Sequence, residues 1–492
     1  MLALLKEQEY SKIVRREGPL SSGIGFNKTE TEGVKASDRL AGLARERGAI
    51  QARLANKTAS DNDHRRLDEI DSQIAPTNRE FRRVMAEIAK APLEDTRGFE
   101  AAKQSQSLMP DLRSLGQGTV ALYTVVTKEK GWIMLVTPDS RKAYSIEIDG
   151  LEQTIAQLRE ALKDDRFDPA PLAQRLYKMI MEVPQKEGPT LAQDLRAYGA
   201  RTLMWSLDGV LRYVPVTVLH DGKDYLVKSY ANVVFTPASI SRLNKPVSRP
   251  WRGLGLGVSK KYANFPALPG VEHELLSIFY ETAGNKHTGV LAGQIRLNEA
   301  FNKRSMIDGL REGFPVVHIA SHFSFDTANE EKSFLLLGDG NGLTLEELQD
   351  YQNIFEKVEL LTLSACDTAV RGANGKEVEG FAYLSQTLGA NAVVASLWHV
   401  ADVGAEALMR EFYYLRTADP ALSKAEAFQR AQLALLRGEE KSLDAKEKGA
   451  GNRGPEVAGG ESSKGLMPSK KNPSAPFAHP HWAPFILIGN WK

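Results

Sequence analysis

Cysteine is all but missing from this chain: one residue, Cys366, in 492. That scarcity excludes an intrachain disulfide framework and predicts a reducing compartment, where a lone thiol stays available as a nucleophile. Charge of one sign is missing too. Lys and Arg number 63, Asp and Glu 62, for a formal net charge of +1. No global field draws the chain to nucleic acid or a membrane surface, and no direct nucleic-acid binding is indicated. No apolar stretch approaches the roughly 20 residues of a membrane span. The opening Met1-Leu2-Ala3-Leu4-Leu5-Lys6-Glu7 meets charge too early for a signal peptide. These absences predict a soluble, cytoplasmic protein, with no cofactor and no metal expected. What is present is ordinary globular composition, 42% hydrophobic and 25% charged, in a chain long enough for two or three domains.

The lone cysteine closes an apolar run, Val358-Glu359-Leu360-Leu361-Thr362-Leu363-Ser364-Ala365-Cys366. An upstream run, Val316-Val317-His318-Ile319-Ala320-Ser321-His322, ends with a histidine in the matching place. Both read as short buried strands. In a parallel sheet the residue just past a strand's carboxyl end lies in the ligand-binding crevice. Two neighbouring strands would therefore deliver an imidazole and a thiol to one cleft. The 44 residues between His322 and Cys366 suffice for the crossover that parallel neighbours need. His318 is the rival base. Four residues of strand, roughly 13 Å, separate it from His322; it reads as a packed core histidine, and His322 as the residue that reaches the crevice.

The ordered segments His318-Ile319-Ala320-Ser321-His322-Phe323, Ser333-Phe334-Leu335-Leu336-Leu337, Leu343-Thr344-Leu345-Glu346-Glu347-Leu348 and Leu363-Ser364-Ala365-Cys366-Asp367-Thr368 resemble those of CHAT domains. The resemblance continues through Val393-Val394-Ala395-Ser396-Leu397-Trp398 to His481-Trp482-Ala483-Pro484-Phe485-Ile486-Leu487-Ile488-Gly489, covering about Met109 to Lys492. CHAT domains are caspase-like, related to separase, caspases and gingipains, and usually fused to tetratricopeptide repeats. The resemblance implies an α/β fold, a caspase-like and largely parallel sheet flanked by helices. It also implies a non-catalytic α/β lobe before that sheet, and a cysteine endopeptidase with a His-Cys dyad acting on a protein substrate.

Three regions are expected. Residues 1–107 read as a helical, coiled-coil-like hairpin. Leu40, Leu43, Ile50 and Leu54 recur at helical spacing, as do Leu67, Ile70, Ile74, Phe81, Val84 and Ile88, with a turn at 56–62 and Pro76 expected to break or kink the second arm. No 34-residue period is visible, so the hairpin is either a reduced repeat array or its replacement, and a possible docking site for an activating protein partner. Residues 108–250 read as the non-catalytic lobe, with strands at Thr119–Val126, Gly131–Val136 and Tyr144–Ile148. Residues 251–492 read as the catalytic lobe. Gly253-Leu254-Gly255-Leu256-Gly257 there lacks phosphate-loop spacing and reads as a glycine-rich strand, and 438–478 as a disordered surface insertion poor in large apolar residues.

Further roles follow from the resemblance. The amides of Cys366 and of Phe323, which stands where caspases place glycine, would form the oxyanion hole. Trp398-His399-Val400-Ala401-Asp402 stands where separase carries the Trp-x-Val-Thr-Asp segment whose aspartate holds a P1 arginine, with Ala401 in place of Thr. Asp402 is thus either a carboxylate gripping a basic P1 residue or the cap of the helix beginning near Val403. Asp367 is the other acidic candidate for substrate binding, although its charge beside the nucleophile opposes thiolate formation. The alternative to a peptidase is a catalytically silent CHAT-fold scaffold for protein–protein interaction.

Overall fold

Apolar runs draw the first strands of the structure, a computed structural model, into a meander. The structure describes scattered positions in 39–77 and most of 108–492. Outside it lie 1–38, 78–107, 281–288, 325–332, 365–375, 399–401, 440–466, 469–479 and some isolated positions. β1 (Thr119–Val126), β2 (Gly131–Val136) and β3 (Arg141–Ile146) pair antiparallel. The third strand begins at Arg141, ahead of the expected Tyr144, and ends at Ile146. Its first two residues are charged yet buried, which hides them from an apolar pattern. Lys142 is accommodated by Asp194, 3.0 Å away.

The first lobe continues with α1 (Leu151–Lys163), whose Leu151, Ile155, Leu158 and Leu162 are buried as their spacing predicts. Then come β4 (Phe167–Asp168), α2 (Ala170–Met181), α3 (Leu191–Tyr198), β5 (Thr202–Ser206), β6 (Ala231–Val234) and α4 (Pro237–Ile240). The second lobe opens with β7 (Gly253–Gly257), α5 (Gly270–Ile278), β8 (Phe279–Tyr280), β9 (Leu291–Leu297), α6 (Lys303–Glu312) and β10 (Val316–Ala320). A small side sheet follows, of β11 (Phe323–Ser324), β12 (Phe334–Leu336) and β13 (Gly342–Thr344). After α7 (Leu345–Gln349) come β14 (Leu360–Leu363), α8 (Lys376–Thr387), β15 (Ala392–Ser396), α9 (Asp402–Ala418), α10 (Lys424–Arg437), β16 (Met467–Pro468) and β17 (Phe485–Gly489).

Twelve strands form one sheet in the order β3-β2-β1-β5-β6-β17-β15-β14-β10-β7-β9-β8. β17 joins the lobes, lying parallel to β6 and antiparallel to β15. β15, β14, β10, β7 and β9 run parallel to one another. The alternating glycines of β7 have a packing cause. A Cβ at Gly253 would stand 2.1 Å from a ring carbon of Phe279, and one at Gly257 2.6 Å from Leu275. The glycines admit α5 and β8 close against the strand; no phosphate loop is involved.

At the amino-terminal end the described positions are helical up to Arg53 and again from Asn62, with Ala59 and Ser60 between them non-helical. Leu43, Ile50 and Ile70 form a small core of their own. Ser60 and Asp63 cap the second arm reciprocally, and Arg66 reaches Glu46 across the pair at 2.7 Å. Pro76 and Thr77 are helical; Ile74 and Ala75 before them and 78–107 after them lie outside the described residues. Arg47 ties this hairpin to the turn between β2 and β3 through Asp139, at 3.2 Å. In the 438–478 segment, Met467 and Pro468 are paired with β4.

Candidate active site

His322 lies two residues beyond β10, whose carboxyl end is held on both sides. The amide of Val258 donates to the Ala320 carbonyl and that of Ser364 to the Ile319 carbonyl, each at 2.9 Å. Ser321 donates to the Leu336 carbonyl, and the Leu336 amide to the His322 carbonyl, so the side sheet fixes the backbone on which the imidazole stands. His322 is 3% exposed. Its Nε2 is 2.9 Å from the Pro266 carbonyl, and the Phe265 ring tilts over it at 5.1 Å. A carbonyl only accepts, so Nε2 carries the hydrogen and the neutral ring has its basic lone pair on Nδ1.

Pro266 and Phe265 escaped the sequence reading. The available signal was position: they follow β7, whose carboxyl end opens beside that of β10. Their loop is pinned by Asn298, whose side-chain oxygen accepts from the amides of Ser259 and Lys260 at 2.9 and 3.2 Å, and by a hydrogen bond from Tyr262 to the Gly338 carbonyl.

β10 and β14 are parallel neighbours with a constant offset: Val316 pairs with Leu360, His318 with Thr362 and Ile319 with Leu363. Cys366 and Asp367 lie outside the described residues, beyond Ser364. Phe323 opens β11 opposite Leu335 with its side chain buried, which is how a bulky residue is accommodated after the histidine. Asp402 is the first residue of α9, and its side chain is outside the described set. Trp398, just past β15, is buried, with the Arg159 guanidinium of α1 5.6 Å from its ring centroid.

His318 is wholly buried and has a partner on each nitrogen, Glu274 at 3.1 Å and the Tyr413 hydroxyl at 3.3 Å. It is a core histidine. Among the described residues no cluster of His, Cys, Asp and Glu could hold a metal ion, and no helix is long and apolar enough to cross a membrane.

Residues 170–490, well over half of the chain, match the CHAT domain family. The chain belongs to that family. Its architecture is the α/β one expected, with a mixed, mostly parallel sheet flanked by helices. Similar solved structures include the Saccharomyces cerevisiae separase–securin complex in two crystal structures. Each has a TM-score of 0.46, with 9% and 10% identity over 78% of this chain. The CHAT chain spans 30% and 31% of those matched chains. The Arg-specific cysteine proteinase gingipain R is similar at a TM-score of 0.35 and 10% identity, with 70% of this chain and 74% of that one covered. No curated protein matches the CHAT protein in sequence.

Proposed function

We propose that this CHAT protein is a cysteine endopeptidase in which His322 activates Cys366 to cleave a protein partner after a basic residue. One relationship carries the reading. The offset that pairs β10 with β14 is 44 residues, and the same 44 separate His322 from Cys366. Side chains at equal levels on adjacent parallel strands are neighbours, and the crevice past their carboxyl ends is where such sheets bind ligands.

The chemistry follows from the tautomer. Nδ1 of His322 takes the thiol proton as Sγ attacks the scissile carbonyl carbon, and Nε2–H on the Pro266 carbonyl steadies the imidazolium. The amides of Phe323 and Cys366 donate to the oxyanion. Collapse breaks the C–N bond, Nδ1 returns its proton to the leaving amine, and a thioester remains. Water then attacks the thioester, giving its proton to Nδ1, and the thiolate leaves. Asp402 receives the P1 guanidinium or ammonium, with Asp367 the other acidic candidate.

The covered imidazole supports a latent state: a buried histidine beneath Phe265 and Pro266 must be uncovered before a peptide reaches it. Residues 1–107 are the proposed regulator, docking an activating protein partner and joined to the first lobe through Arg47 and Asp139. The test is hydrolysis of fluorogenic peptides carrying Arg, Lys, Asp or Leu at P1. Release from the basic peptides by the wild type and none by Cys366→Ala supports the reading. Equal release by both proteins contradicts it.

A further inference from the structure

Beneath the candidate site four buried polar side chains from four elements form one hydrogen-bonded chain. Thr362 of β14 meets the Tyr413 hydroxyl at 2.7 Å, Tyr413 of α9 meets His318 Nδ1 at 3.3 Å, and His318 Nε2 meets Glu274 of α5 at 3.1 Å. All four are buried, His318, Thr362 and Tyr413 completely. His318 and Thr362 are register partners on β10 and β14, so one hydroxyl from a helix spans two adjacent strands at a single level. That level is four residues before His322 on one strand and four before Cys366 on the other.

The chain has a direction. The Glu274 carboxylate only accepts, so Nε2 of His318 donates to it; with that single ring proton, Nδ1 would accept from Tyr413 and the Tyr413 oxygen from Thr362. Burial raises the Tyr413 pKa, with the Glu274 charge adding to the rise, so the hydroxyl keeps its proton. Chains satisfied end to end are rigid and tolerate no slip, since a displaced member leaves a buried group unpaired.

We propose that Tyr413, with Thr362 and His318, is a positioning device that sets the level of β14 against β10 and thereby the approach of Cys366 to His322. This rests on the dyad reading above. Misplacement of a reacting group by about 1 Å costs on the order of 10²-fold in rate, so a clamp four residues upstream on both strands is well placed to matter. Ordinary core packing would hold the sheet together without a hydroxyl spanning register partners.

Because Cys366 is the only thiol, alkylation of the whole protein by iodoacetamide reads one site. Its rate against pH gives the thiol midpoint without knowledge of the substrate. In the wild type the midpoint should lie below the ordinary value of about 8.5, lowered by the imidazole. His322→Ala should return it to about 8.5. Tyr413→Phe and Thr362→Val, which keep shape and remove a hydroxyl, should each raise it by about one pH unit. Thr362→Ser, which keeps the hydroxyl, should follow the wild-type curve. In the His322→Ala background Tyr413→Phe should add nothing.

A Tyr413→Phe protein with the wild-type midpoint, while His322→Ala is shifted, overturns the positioning role and leaves the dyad standing. An unshifted His322→Ala protein removes the dyad and this inference with it. A shift from Tyr413→Phe that persists without His322 also overturns the proposal. Should Tyr413→Phe fail to fold, the Thr362→Val and Thr362→Ser pair decides the same question.

Discussion

Nε2 of His322 and the carbonyl of Pro266 are 2.9 Å apart, and that contact assigns the ring's proton. In the proposed dyad, an imidazole anchored through Nε2–H to a fixed carbonyl would leave Nδ1 to act as the base and give the imidazolium a waiting acceptor. The contact also holds the ring under Phe265, joining orientation and occlusion in one loop.

Cys366→Ala should abolish proteolysis and leave the fold intact, since removing one sulfur at a cleft edge changes stability by about 1 kcal/mol. Peptide hydrolysis and thermal unfolding measured together check this. Retained cleavage of the substrate contradicts it.

His322→Ala should lose as much activity as Cys366→Ala, and the two changes in one chain should cost about what either does alone, because members of a dyad act as a unit. His318→Ala acts differently. It strands the buried Glu274 carboxylate, leaves the Tyr413 hydroxyl with Thr362 alone, and should lower stability by about 3–5 kcal/mol in denaturant unfolding. A His318→Ala protein of wild-type stability contradicts the core role.

How far the sequence carried can be judged from these two histidines. The strand runs ending near His322 and Cys366 were legible, because strands buried on both faces read as continuous apolar runs. That His318 packs in the core was legible from strand geometry. Invisible in the sequence were Pro266, which acts through a backbone carbonyl that no side-chain pattern encodes, and Tyr413, which reaches His318 across the sheet from 95 residues away. The start of β3 was missed because Arg141 and Lys142 are buried charges.

Asp402→Asn separates the two proposed readings of that residue. As a pocket carboxylate its neutralisation should reduce kcat/KM for basic P1 substrates by about 10- to 150-fold, the worth of a charged hydrogen bond of roughly 1.5–3 kcal/mol, with thermal stability nearly unchanged. As a helix cap Asn serves equally well and the kinetics should not move. A peptide library cleaved after acidic or apolar residues contradicts the pocket role.

Glu359, just before β14, lies 3.3 Å from the Lys424 ammonium and 3.8 Å from the Arg416 guanidinium, all three buried. Glu359→Gln removes the carboxylate charge facing both cations and should destabilise the fold by about 3–5 kcal/mol. Equilibrium denaturation reads the loss; a change below about 1 kcal/mol would contradict a stabilising role for the Glu359 charge.

The most direct measurement of the central claim is the separation of Cys366 Sγ and His322 Nδ1 in a crystal structure. The dyad predicts about 3–4 Å, with Nε2 still on the Pro266 carbonyl. A sulfur on the opposite face of the sheet, or an imidazole turned so that Nδ1 meets Pro266, contradicts it.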